Sequence, residues 1–172
     1  MRFLIVIAPK DFKDESIALM KLLFDKWGVG YSITSYTSNE CIGMHGATYR
    51  PNFHASKATS IDYDGIILID GPGVDAYKMY DYRPLLDLTF NFNNNNKYVI
   101  GISNAVKIPA RANIVRDRLV ATNDRETVRL VNLFHGVPSE KEYEISGNLI
   151  TVKSSNNMED SVITILEHIG VT

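Results

Sequence analysis

The sequence predicts an α/β domain: a three-layer sandwich with a mostly parallel sheet and helices on both faces. Three observations lead there. Short runs such as Phe3–Ala8, Gly65–Ile69 and, after Lys97, Tyr98–Ile102 are apolar throughout, as strands covered on both faces must be. Segments with three- and four-residue apolar spacing separate them, which is how crossover helices join parallel strands. A length of 172 residues, 45% hydrophobic and 22% charged, suits a single core, so residues 1–172 are read as one domain.

The elements follow in order. Phe3–Ala8 is the first strand. Ile17, Met20, Leu23, Phe24 and Trp27 mark one face of a helix that Gly28 and Gly30 end. Tyr31–Tyr36 alternates as a second strand. Glu40–Ser60 breaks the rhythm and reads as a loop or small β excursion. Gly65–Ile69 is a buried strand closed by Asp70-Gly71-Pro72-Gly73, and a helical stretch from about Ala76 to Phe92 follows, broken near Pro84. Asn93–Asn96 is a polar turn before the strand Lys97–Ile102. Leu119–Ala121 is a short strand. Thr127, Leu130, Val131 and Phe134 share a helix face, with His135 near a C-terminal cap. Tyr143–Val152 is a hairpin turning at Gly147-Asn148. Val162, Ile163, Leu166 and Ile169 define a last helix, with His168 in its final turn.

Composition narrows the function. With 18 Lys and Arg against 20 Asp and Glu, the formal charge is −2, which argues against nucleic acid as the main partner. Arg111, Arg116, Arg118, Arg125 and Arg129 are interleaved with Asp117, Asp124 and Glu126, as on a solvated face. No stretch approaches the roughly 20 apolar residues of a membrane span, and Phe3–Ala8 has neither the length nor the cleavage site of a leader. Cys41 is the one cysteine, which excludes an intramolecular disulfide and suits a reducing, cytoplasmic setting. Cys41, His45, His54 and Asp62 fit no zinc spacing, so no metal and no cofactor is expected. A flavin carrier is disfavoured, because Pro9-Lys10-Asp11-Phe12 forms no phosphate cradle after the first strand.

Ligands in such sheets bind at the carboxyl ends of the strands, and three of those ends carry unusual residues. Glu15 opens the first helix. Gly71 and Gly73 lie in a turn that exposes backbone N–H donors. Gly101-Ile102-Ser103-Asn104-Ala105 resembles a nucleophile elbow, with small residues flanking a side chain held at the tip of a sharp bend. The N–H of Asn104 would then face an oxyanion formed beside Ser103. Each feature also has a plain structural explanation: Ser103 as a helix cap, Glu15 as a favourable charge at a helix start, and the glycines as a tight turn.

Together these segments resemble the DJ-1/PfpI superfamily, which implies a flavodoxin-like three-layer fold. The resemblance rests on Ile5–Glu15, on Tyr63–Gly71, on Tyr98–Ala105 and on Glu144–Thr151, in order and over nearly the whole chain. It implies an elbow nucleophile (Ser103), a carboxylate partner (Glu15), oxyanion or binding groups at Gly71, Asn104 and Gly73, a small-molecule or peptide substrate, and a homodimer. The family's elbow presents cysteine, and this chain has Ser103, either by nature or by replacement. Asn104 stands where the protease branch has histidine, and Asp70-Gly71 replaces a pair of glycines.

Those departures have chemical weight. A serine hydroxyl needs an adjacent general base to become nucleophilic, and a carboxylate is too weak for an alcohol. Two functions are therefore expected: a protease- or glyoxalase-like hydrolase, weak or inactive as it stands, or a non-catalytic relative that binds a small metabolite or serves as a chaperone-like homodimer.

Overall fold

A computed structural model describes residues 1–171. Seven strands form the central sheet: β1 (Arg2–Val6), β3 (Gly30–Ser35), β6 (Phe53–His54), β7 (Gly65–Leu68), β8 (Tyr98–Ile102), β11 (Tyr143–Ser146) and β12 (Leu149–Val152). Their order is β11-β12-β8-β7-β1-β3-β6, and every pairing is parallel except β11 with β12. The central strands are apolar on both faces because both are covered. Phe3, Leu4, Ile5, Ile66, Ile67 and Val99 are fully buried. Helix α1 (Asp14–Lys26) buries Ile17, Met20, Leu23 and Phe24, and its Phe24 ring stacks on Phe3 at 5.3 Å. Burial of this kind contributes roughly 1.5–3 kcal/mol per large side chain.

Three expectations change in detail. The stretch expected as one helix from Ala76 to Phe92 is two, α2 (Pro72–Ala76) and α3 (Arg83–Asn94), with a turn between them where Lys78 takes φ +46°. Pro84 sits in the first turn of α3, where its missing N–H costs nothing, so it starts the helix rather than breaking it. The strand at Leu119–Ala121, β9, lies outside the central sheet and pairs in parallel with β10 (Val137–Ser139). Pro138 hides β10 from a pattern reading, yet a two-stranded edge tolerates proline. Beyond α5 (Arg125–Leu133), His135 takes the left-handed position at φ +66°, at the C-terminal end of the helix where its capping place was expected.

The excursion at 40–60 is ordered. Strands β4 (Cys41–Gly43) and β5 (Thr48–Tyr49) form a hairpin that joins β2 (Lys10–Phe12) in a second, three-stranded sheet, and β6 then adds to the edge of the main one. The late hairpin turns at Gly147 with φ +64°, as its sequence demands. Helices α4 (Lys107–Arg111) and α6 (Met158–His168) complete the layers. Among the described residues no helix is long and apolar enough to cross a membrane.

Candidate functional site

Strand β8 delivers its last residue, Ile102, to the carboxyl edge of the sheet, and the chain then bends at once into a 3-10 turn spanning Ser103–Val106. Ser103 has φ +51°. A non-glycine residue in the left-handed region costs on the order of 1–3 kcal/mol and persists only where its surroundings enforce it. Enforcement comes from fully buried Ala105 and Val106 and from Gly101, where an added Cβ would lie 3.3 Å from Val106. The elbow read from the sequence is therefore a strained bend, and Ser103 is half-buried at its tip.

The glycine turn follows the neighbouring strand, β7. Gly71 has φ +132°, and an added Cβ would meet the backbone of Asp11 and Lys13 at 2.6 and 2.7 Å. At Gly73 it would meet Lys10 O at 2.0 Å. Both glycines are thus required by the close passage of the β2–α1 connection, and Gly73 is a buried packing position at the start of α2.

The Gly71 N–H, expected to face an oxyanion, donates instead to Asn104 Oδ1 at 3.1 Å. Asn104 Nδ2 donates back to Gly71 O at 2.8 Å and to Asp75 Oδ2 at 3.2 Å. One side-chain amide therefore occupies both backbone groups of the turn. Asp75 is fixed in turn by Lys107, whose Nζ lies 2.6 Å from Asp75 Oδ1 and 3.2 Å from Glu126 Oε2. Burial of Lys107 works against its charge, but the two carboxylates prevail and raise its pKa.

Glu15 stands in the first turn of α1, on the same sheet edge, with a mostly exposed side chain. Its carboxylate lies 2.6 Å from His45 Nδ1. No hydrogen bond joins Glu15 to Ser103 among the described residues. The neighbouring Asp14 accepts the backbone N–H groups of His45 at 2.9 Å and Ala47 at 2.7 Å. Burial pushes the Asp14 carboxyl upward, but these two donors outweigh it and hold its pKa below the usual value. Asp14, Glu15 and His45 bring one ligand atom each within 4.8 Å of one another. Hydrogen bonds within the group account for that arrangement, with Asp14 taken up by backbone donors and Glu15 by the ring. Cys41 is buried against Asn39 O, and His54 accepts from Ser56 N, so neither belongs to this cluster.

Asp70 closes the β7 end of the edge. Its side chain is buried, and among the described residues its Oδ1 has no hydrogen-bond partner. Burial pushes its carboxyl pKa up; the nearby Ser16 hydroxyl and the Lys13 charge temper the rise, and Glu15 adds to it.

The structure thus brings Ser103, Asn104, Gly71 and Gly73 to one edge and links Asn104 to Gly71, while Glu15 is engaged with the β4–β5 hairpin. Sequence reasoning missed the Asn104 amide as an occupant of the turn, Asp75 and Lys107 behind it, Asp14 and His45 around the helix start, and Asp70 as a buried carboxyl. Lys107 sits one helical turn beyond Ser103 among apolar residues, the only signal that could have marked it.

A parallel sheet that lifts a strained residue at the end of one strand, beside a glycine turn at the end of the next, defines an α/β protein with a candidate site on the carboxyl edge. The chain belongs to the DJ-1/PfpI family, whose model matches residues 1–168. It is 29% identical over 154 residues to an uncharacterized protein of Methanocaldococcus jannaschii, covering 89% of this chain and 75% of that one. Its fold is that of a ThiJ/PfpI domain protein from Brachyspira murdochii, with a TM-score of 0.87 at 22% identity over 97% of this chain and 96% of that one. Drosophila melanogaster DJ-1beta is also similar, with a TM-score of 0.84 at 15% identity over 99% of this chain and 91% of that one.

Proposed function

We propose that this chain is a small-metabolite-binding member of the DJ-1/PfpI family whose elbow serine does not carry out hydrolysis. The observation that carries the reading is the double hydrogen bond between the Asn104 amide and Gly71. An oxyanion donor must be free to meet charge as it develops, and losing one typically costs about 10²–10³ in rate. Here that donor is already satisfied by a neutral acceptor. Ser103 has no histidine in the position that follows it, and Glu15 is held by His45.

The metabolite would lie beside the start of α1. A cavity of about 460 Å³ opens there, lined by Lys13, Glu15, Ser16, Ser155 and Asn156 among others, a size that suits a small polar molecule. Assembly as a homodimer and a cytoplasmic setting are part of the same proposal; light scattering on the purified protein tests the first.

The hydrolase or glyoxalase-like reading makes a different prediction. The wild type, Ser103→Cys and Ser103→Cys/Asn104→Ala are assayed against methylglyoxal, a chromogenic ester and a peptide amide. The expected result is background turnover by the wild type and little gain from Ser103→Cys alone. Adding Asn104→Ala, which frees the Gly71 N–H, is expected to raise the rate by roughly 10²-fold. Wild-type turnover that disappears in Ser103→Ala would overturn the proposal and establish a serine enzyme.

A further inference from the structure

Behind the elbow lies a second, smaller cavity of about 120 Å³, lined by Tyr80, Lys107, Glu126, Arg129 and Leu130. We infer that it is a binding site for a small carboxylate, in which the Glu126 side chain now occupies the position such a ligand would take. The side chain of Lys107 is only 3% exposed. A buried ammonium needs compensating carboxylates, and removing one without replacement is strongly unfavourable.

The two partners it has are unequal. Asp75 is close, at 2.6 Å, and is tied into the Asn104 network. Glu126 is more distant, at 3.2 Å, and its side chain is 71% exposed. An exposed carboxylate on a flexible stem contributes little beyond its charge, so a carboxylate from solution can replace it on Lys107. Arg129, one turn further along α5, lines the same cavity and makes no ion pair among the described residues. With Glu126 turned out, the cavity presents Lys107 and Arg129, and Asp75, which pairs with Lys107, offsets only one of the two charges, leaving a net positive site.

The remaining walls set the ligand's size and character. Lys107 Nζ lies 5.5 Å from the centre of the Tyr80 ring, and Leu130 supplies an apolar side. Since a water takes up about 30 Å³ of liquid, the volume holds a carboxylate with a two- or three-carbon body. This site is separate from the cavity beside α1 and stands or falls independently of it.

Titration calorimetry with propionate tests the inference, with propionamide as the uncharged control. Saturable propionate binding is expected, with a dissociation constant on the order of 1 mM and no response to propionamide. Glu126→Ala removes the internal competitor and is expected to tighten binding roughly tenfold. Arg129→Gln, a surface change that leaves the buried pair intact, is expected to weaken it by a similar factor. Equal binding of propionamide, an affinity unmoved by Glu126→Ala, or no saturable heat from either protein would each overturn it.

Discussion

Asn104 and Asp70 show how much of this site is decided by single side chains. Asn104 has the two groups needed to close a backbone N–H and a backbone C=O at once, and it uses both on Gly71. Asp70 is a carboxyl at a buried sheet edge where the resemblance leads one to expect glycine, and burial raises its pKa. A carboxyl that is harder to ionise when folded lowers stability as pH rises from its unfolded value of 3.8 through the folded one, and the loss is complete above that. Asp70→Asn removes the ionisation, so the variant is expected to be more stable than the wild type near neutrality, with the gap closing in acid. Urea denaturation at a series of pH values measures it; a gap that is constant with pH would show that Asp70 does not titrate in this way.

At the scale of elements, the docking of the β4–β5 hairpin onto the start of α1 depends on Asp14. Its two oxygens take the N–H groups of His45 and Ala47, and Glu15 pairs with the His45 ring. Asp14→Ala leaves two backbone donors without acceptors, for an expected loss of about 1–3 kcal/mol. Because the folded pKa of Asp14 is lowered, its contribution is present above the unfolded value of 3.8 and lost as pH falls through the folded one. The difference between wild type and Asp14→Ala should therefore be full at neutral pH and shrink in strong acid, as for Asp70→Asn but with the opposite sign. Proteolysis within residues 41–49 should quicken in the variant; unchanged cleavage there would show that the hairpin is held by other contacts.

For the whole molecule, the sheet and its helices were legible because burial on both faces writes itself as unbroken apolar runs: Phe3–Val6, Gly65–Leu68 and Tyr98–Ile102 all fall on central strands. The elbow was legible for a related reason, since Gly101 and Ala105 leave room for a bend that holds Ser103 at φ +51°. Placing β9 against β10 was not, because Pro138 interrupts the pattern and pairing between short edge strands carries no periodicity. The polar contacts of the site were least visible. Asn104, Asp75, Lys107 and Glu126 meet only because α2, α4 and α5 converge behind the elbow, and nothing in the local sequence says which amide will turn toward Gly71.

The occupied Gly71 N–H is the point on which the functional reading rests, and amide hydrogen exchange of Gly71 measures it directly. In the wild type the Gly71 amide should be protected, and in Asn104→Ala it should exchange at least roughly tenfold faster, while amides within β7 such as Ile67 keep their rates. A Gly71 amide that exchanges freely in the wild type, or equally slowly in both proteins, would contradict the account.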